Sequence, residues 1–328
     1  MSAAALKPAD RTAPAALPKP RGYWRDFWRR FSRNRLAVLS VMVIAGMFTF
    51  AIFTEELSPY CHTKQDLTAT EQGPSLAHWL GTDRLGRDLT SRLVWGSRTA
   101  VIVSLSVITL HLAIGLPLGL AAGYFGGKID TLIMRLADFL FAFPEFLFIL
   151  FIAATIRPSV LEFIKGLGSS LGLKRGVNCA LDYVNFSDFI VVIAALSFIG
   201  WPGLARLVRG LVLSVRERDY VVAARALGTK DWQIMFRHVL PNVLPAIIVA
   251  VSVTMGGAIL TESTLSYIGI GIQPPNASWG STLSDNVTFW RTQTWMVIAP
   301  GAVIAIVTAA FSFLGDGLNE ALNPRTGN

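Results

Sequence analysis

The sequence predicts an all-α fold, a polytopic membrane protein of six transmembrane helices with both termini in the cytoplasm. Three observations carry that prediction. The 328 residues are 52% hydrophobic and only 15% charged, with a mean hydropathy of +0.51, a balance too apolar for an ordinary water-soluble domain. Apolar runs of roughly 20 residues recur along the chain, long enough at about 1.5 Å per residue to approach a hydrocarbon core of roughly 30 Å. Lys and Arg are shared unevenly between the segments that join those runs.

The elements follow in order. Residues 1–35 form an inner tail, and up to Pro20 its Ala and Pro content with little to bury predicts disorder. Trp24, Phe27, Trp28 and Phe31 then recur at i, i+3, i+4 and i+7, with Arg25, Arg29 and Arg30 between them. That spacing predicts an amphipathic helix over about residues 23–34, lying in the headgroup layer; the plainer alternative is the start of the first span. Residues 36–54 are that span. It begins behind a long basic leader and no small-residue cleavage site follows it, so it reads as a retained anchor and not a removed signal peptide. Residues 55–99 form a polar outer loop, where Gly81-Thr82-Asp83 and the Arg87-Asp88 pair offer turn geometry and a fixed charge pattern. Residues 100–320 are the core, with five further spans at Val101–Tyr124, Leu136–Ile156, Phe189–Ala205, Asn242–Leu260 and Trp295–Leu314. Residues 321–328 are a C-terminal tail.

With no water in the bilayer interior, the spans satisfy their backbone amides as helices. Gly115, Gly119 and Gly123 recur every four residues on one face of the second span, which suits close helix packing more than substrate contact. Pro117, Pro144, Pro202 and Pro300 sit within or near the ends of spans and permit kinks. A charge at mid-membrane costs roughly 2.5 to 3.5 kcal/mol on insertion scales, so charged residues within spans are candidates for a translocation pathway. Glu145 is nearest the middle of its span. Asp138, three residues from Arg135, is equally readable as half of a helix-surface ion pair. Glu262 falls just past the predicted outer end of the fifth span.

Nineteen of the 29 Lys and Arg fall on the inner segments if the N-terminus is cytoplasmic, which sets the orientation. The net charge of +8 is then what a surface beside anionic lipid carries, and it requires no nucleic-acid partner. Cys61 and Cys179 both land on outer loops. A disulfide between them and a pair of free thiols are both compatible with the spacing.

The inner segment 206–241 is the most distinctive part of the chain. Glu217 to Ala226 has good helix formers, Leu227-Gly228 supplies a stop, and Thr229 is placed to cap a second helix that begins Lys230-Asp231-Trp232 and ends before Pro241. Ala223 and Ala224 leave room for a partner's close approach, with Tyr220, Arg225, Lys230 and Arg237 as polar anchors at the rim.

Other functions fit less well. There is no Gly-x-x-x-x-Gly-Lys-Ser/Thr loop; Gly126-Gly127-Lys128-Ile129 lacks the hydroxyl and the first Gly. Gly168-Ser169-Ser170-Leu171-Gly172 matches a serine-hydrolase pentapeptide but lies in a Gly-rich loop with no strand before it. His62, His78, His111 and His238 lack metal-ligand spacing. An ion-coupled carrier should repeat its broken helices in two halves, and no such repeat is evident.

The arrangement Ala223-Ala224, Gly228 and Leu240-Pro241 resembles the coupling-loop motif of the permease subunits of ATP-binding-cassette importers. A Glu usually stands in that motif where this chain has Val222, which removes any role for a carboxylate there. Further blocks narrow the resemblance to the second permease of dipeptide, oligopeptide and nickel importers: Gly81-Thr82-Asp83-Arg84-Leu85-Gly86-Arg87-Asp88, Ala122-Gly123-Tyr124-Phe125-Gly126-Gly127, Gln273-Pro274-Pro275 with Trp279-Gly280, and Gly315-Asp316-Gly317 with Asn323-Pro324-Arg325. The segment 157–188 is longer than that family leads one to expect. The resemblance implies the type I importer permease fold in a bacterial or archaeal cytoplasmic membrane. It implies a homologous permease completing the pathway, two cytosolic ATP-binding subunits that hold the ATP and Mg2+, and an extracytoplasmic binding protein, with no cofactor on this chain. Tyr220, Val222, Ala223, Ala224, Arg225, Leu227, Gly228, Thr229, Asp231 and Trp232 would then couple the ATPases to the spans. Peptide is the implied substrate, nickel chelates and oligosaccharides the alternatives.

Overall fold

A computed structural model describes residues 23–170, 179 and 186–322. The leader up to Pro20, most of the long 157–188 connection beyond Ser170, Leu171 and Gly172 of the pentapeptide, and the Asn323-Pro324-Arg325 block lie outside the described residues. Helix α1 (Tyr23–Phe31) precedes α2 (Arg35–Ile52), α3 (Thr54–Leu57), α4 (Leu89–Phe125), α5 (Gly127–Phe141) and α6 (Glu145–Ser170). Then come α7 (Phe186–Arg216), α8 (Asp219–Ala226), α9 (Asp231–Ile234), a π-helical turn Met235–Val239, α10 (Leu240–Tyr267), α11 (Trp279–Asn286) and α12 (Trp295–Leu322). Six of these stretches are long and apolar enough to cross a membrane: α2, α4, α6, α7, the run Asp231–Tyr267 and α12. Large apolar side chains such as Leu147, Phe151, Phe163 and Ile298 stay exposed on them, which is stable only where lipid replaces water. Inner and outer below follow the charge-based orientation.

Helices α4 and α7 form the central seam. A Cβ at Gly115 would stand 2.8 Å from the Trp201 carbonyl oxygen, one at Gly119 2.6 Å from that of Ala205, and one at Gly123 2.7 Å from Val212 Cβ. The glycine face of α4 therefore lies directly on the α7 backbone. Toward the outer side, Val103, Val107, Ile149, Val192 and Leu196 fill a core among α4, α6 and α7. Toward the inner side, Leu120, Tyr124, Val208 and Val212 join Val221 and Ile234 of the following elbow.

The spans outrun the sequence prediction, the fourth reaching Arg216 and the sixth Leu322, and three further boundaries differ for local reasons. The third span is not Leu136–Ile156. Helix α5 stops at Phe141 and the span starts afresh at Glu145, because Pro144 offers no N–H and disfavours helical backbone at Phe143. The second span begins at Leu89 and not near Val101. A rule of charge-free runs cut it short at Arg92 and Arg98, yet Arg92 is fully buried and Arg98 meets Glu55 at 3.2 Å. The N-terminal helix ends at Phe31, and Asn34 caps the next by accepting from the Ala37 N–H at 3.1 Å. Its aromatic face is divided: Trp28 points out, whereas Phe31 is buried with Ala37 and Ala321 beside Leu314 and Leu318. Asn34 Nδ2 donates to Glu320 at 3.1 Å, so the start of α2 and the end of α12 share one face.

Candidate functional site

On the inner side, α7 hands over to a compact elbow. Arg216 donates from Nη1 to the Gly123 carbonyl at 2.9 Å, tying the end of α7 to the end of α4. Helix α8 buries Val221 and α9 buries Ile234 in the same apolar cluster. Between them the chain turns at Gly228, whose φ is +76°. The Gly228 N–H bonds the Arg225 carbonyl at 3.0 Å and the Thr229 N–H bonds that of Ala224 at 3.1 Å. This is the Schellman arrangement, in which a left-handed residue lets the helix's last carbonyls find donors. Asp231 then opens α9 and accepts from the Tyr124 hydroxyl at 2.7 Å, while the Arg225 guanidinium lies 5.5 Å from the Tyr124 ring centroid. One tyrosine at the end of α4 thereby meets both arms of the elbow.

Two predicted details of the elbow are corrected. Lys230, not Thr229, is the N-cap of α9, and it makes no side-chain cap bond; Asp231 in the first turn supplies the charge that favours a helix N-terminus. The second arm does not end before Pro241. It passes through the π turn into α10 and forms one helical run from Asp231 to Tyr267. In the π turn the Leu240 N–H reaches back to the Met235 carbonyl, five residues away. That wider spacing relieves the clash a proline ring makes with the carbonyl four residues before it, and Asn242 Nδ2 caps the His238 carbonyl at 2.7 Å.

The outward surface of the elbow is apolar. Leu227 is 86% exposed and Trp232 58%, with Tyr220 and Val222 each close to half exposed. Ala223, Arg225 and Gly228 are exposed beside them, and Ala224 and Thr229 partly so. All ten residues predicted for coupling thus lie in one continuous turn of chain.

The charged residues predicted for a pathway are not brought together. Asp138 lies in α5, outside the third span, and binds Arg206 of α7 at 2.6 Å, so its partner is not Arg135. Arg209 binds Asp130 in the same way, and the two pairs clip α5 to α7. Glu145 is the exposed first residue of α6 and not the middle of a span. Glu262 lies within α10, not beyond it, and is 1% exposed. Its carboxylate accepts from Ser266 Oγ at 2.7 Å and Ser263 Oγ at 3.3 Å, and Ser266 Oγ in turn accepts the Ile272 N–H at 2.9 Å. Glu262 therefore organises the outer turn after α10.

On the outer side the 58–88 loop is tied to α11. Ser278 caps that helix in a capping box, Trp279 Nε1 donates to the Leu93 carbonyl at 2.9 Å, and Asp285 accepts from Arg87 at 2.7 Å. Asp88 caps α4 through Ser91 and meets His78 at 2.9 Å. Cys61 and Cys179 are joined in a disulfide with Cα atoms 5.6 Å apart, linking this loop to the 157–188 connection. The expected 157–188 connection is shorter, because α6 runs on to Ser170; Arg157 lies within that helix and binds Asp188 at 2.6 Å and the Gly271 carbonyl at 3.1 Å.

Sequence reasoning missed Tyr124 as the hub of the elbow and Asp285 as the hub of the outer face. Tyr124 carried a signal, a lone phenol at the inner end of an apolar run. Asp285 carried none, since its closest partner, Arg87, is 198 residues away.

A family model described as a binding-protein-dependent transport system inner membrane component matches residues 115–328. A second, described as the N-terminal TM domain of oligopeptide transport permease C, matches residues 22–74. The chain is 35% identical to a dipeptide transport system permease protein of Bacillus subtilis over 304 residues, covering 92% of this chain and 86% of the relative. It is 35% identical to a glutathione transport system permease protein of Pectobacterium atrosepticum over 303 residues, with 92% and 91% covered. An oligopeptide transport system permease protein of Bacillus subtilis is 33% identical over 302 residues, with 92% and 90% covered.

Proposed function

The chain belongs to the family of binding-protein-dependent transport system inner membrane components, and from that premise we propose that it is one of two homologous permeases of an ATP-driven importer of small peptides. The substrate class is supported by the relatives, which are named for dipeptide, oligopeptide and glutathione transport. Two cytosolic subunits bind ATP and Mg2+ and a separate extracytoplasmic protein delivers the peptide. The membrane is the cytoplasmic membrane of a bacterium or archaeon. Orientation rests on the Lys and Arg distribution and on the Cys61–Cys179 disulfide, a bond that persists outside the reducing cytosol.

One observation carries the mechanism. The elbow exposes Leu227 and Trp232 on one side while Val221 and Ile234 on the other are fixed in the core, and its second arm is continuous with the fifth span. An ATPase that grips the apolar rim pulls on a span directly, with Tyr124 relaying the same displacement to α4. ATP-driven approach of the two ATPases then shifts the permease pair between inward-open and outward-open states by rigid-body motion.

The test is tripeptide uptake into proteoliposomes that hold the reconstituted importer. We expect uptake to stop when ATP is withheld and a proton gradient remains; uptake driven by the gradient alone would mark a secondary carrier instead. Leu227→Asp should insert and stay monodisperse but lose the ATP-binding subunits on copurification, because a charge in the centre of an apolar contact leaves an unpaired buried group.

A further inference from the structure

Beyond the elbow, ionic groups concentrate around α11 on the outer side. The Asp285 carboxylate, 16% exposed, faces three guanidiniums: Arg87 at 2.7 Å, Arg92 at 3.5 Å and Arg84 at 3.6 Å. Asp83 takes the Nε–H of Arg87 at 2.6 Å. Three fixed positive charges therefore meet two negative ones. The neighbouring Asp88 is held by His78 and by the cap of α4 and pairs with none of these guanidiniums. Arg92 is fully buried, and its Nη1 has no hydrogen-bond partner within the described residues.

Beside this cluster is a cavity of about 330 Å³ lined by His62, Gln65, Arg84, Arg87, Pro275 and Asp285 among others. Among the described residues its walls come from the 62–87 loop, Pro274, Pro275 and Asp285 of α11, and none from a membrane-spanning helix, which places it on the outer face. The Arg84 guanidinium is half exposed and stands too far from Asp285 for a hydrogen bond, so its donors remain open. His62 is 6% exposed, and its Nδ1 also lacks a hydrogen-bond partner within the described residues. Burial, with Arg92 and Arg87 beside it, pushes its pKa down to about 4. The imidazole stays neutral near pH 7 and the cationic character of the cavity is that of the arginines.

We propose that this cavity is a socket for one carboxylate, an Asp or Glu side chain protruding from the extracytoplasmic binding protein, held by Arg84 with Arg87 behind it. The proposal rests on the importer reading above and adds the place and chemistry of that contact. Arg84, half exposed and not hydrogen-bonded to Asp285, has donors to offer one carboxylate, which a guanidinium fork grips through two parallel N–H bonds. The cavity's size suits a side chain, and its outward opening suits a docked protein better than a peptide in transit.

The test measures the Kd of the peptide-loaded binding protein for the assembled importer in lipid nanodiscs, at low and at physiological salt. Arg84→Glu should raise the Kd about tenfold and flatten its salt dependence. Gln65→Glu on the opposite wall should weaken binding several-fold, and Arg84→Lys, which keeps the charge, should lose much less than Arg84→Glu. Both positions are exposed, so folding is not at stake. Binding by Arg84→Glu within about twofold of wild type overturns the socket and leaves the importer reading standing. Failure of the wild-type importer to bind overturns both. Tight binding of acetyl-triglutamate to the importer alone, lost in Arg84→Glu, assigns the cavity to a free solute and overturns the docking role.

Discussion

Gly228 holds a φ of +76° with nothing within 4 Å of where a Cβ would be. The position therefore demands backbone freedom and not space, and the sequence disclosed it because a glycine ends a run of good helix formers. His62 is the opposite case, a residue whose environment no local pattern announces. Its pKa falls from 6.5 to about 4 through burial first and the nearby Arg92 and Arg87 second. Between those values the unfolded chain binds a proton that the folded chain refuses, so stability rises with pH across the window. The contribution is complete above pH 6.5 and is lost as the pH falls toward 4. The melting temperature of the detergent-solubilised protein, followed by tryptophan fluorescence, should drop on acidification through that range, and His62→Phe should flatten the drop. A variant that loses stability as steeply as wild type would show that other groups govern it.

Among the helices, the α4–α7 seam tolerates least. At Gly119 an added Cβ meets the Ala205 carbonyl oxygen at 2.6 Å and Val208 Cβ at 2.7 Å, a backbone atom and the first, least movable atom of a side chain on packed α7. Gly119→Leu should cost at least the 1 to 3 kcal/mol typical, roughly, of overpacking and abolish a monodisperse peak in size-exclusion chromatography. Gly46→Leu on α2 is the control. A Cβ there meets nothing within 4 Å, and a leucine that enters the apolar cavity beside Val43, Met47 and Val303 should leave the elution profile unchanged. Equal behaviour of the two variants would remove the seam from the account. The seam was legible because small residues every fourth position form a face. The break at Pro144 and the continuity through Pro241 were misread for one reason. A proline's effect depends on how the turn before it is wound, and at Pro241 the wider π turn carries the helix past the ring, an answer that lies outside propensity.

On the whole molecule, the inner elbow is one continuous stretch of chain anchored at Tyr124 and Gly123, whereas the outer cluster is assembled from separate stretches. The elbow spans residues 216–240 and was largely readable. The outer cluster joins Asp83, Arg87 and Asp285, and only folding reveals it. Sidedness has a direct check. In right-side-out vesicles a membrane-impermeant maleimide should label Cys61 and Cys179 only after reduction, and Leu227→Cys in a Cys61→Ser/Cys179→Ser background should remain unlabelled until the membrane is breached. Labelling of position 227 in sealed vesicles would invert the topology. The run from Asp231 to Tyr267 covers 37 residues, about 55 Å at the α-helical rise, so it outreaches a hydrocarbon layer of roughly 30 Å. Its inner tip carries the elbow, and its outer end carries Glu262 and the serines that set the turn before α11. Such a rod is a seesaw on a membrane fulcrum: a tilt of about 10° about its middle swings each end by roughly 5 Å, in opposite directions. Thermodynamic reciprocity then requires that whatever factor nucleotide imposes on affinity at one tip, a visitor at the other imposes on nucleotide.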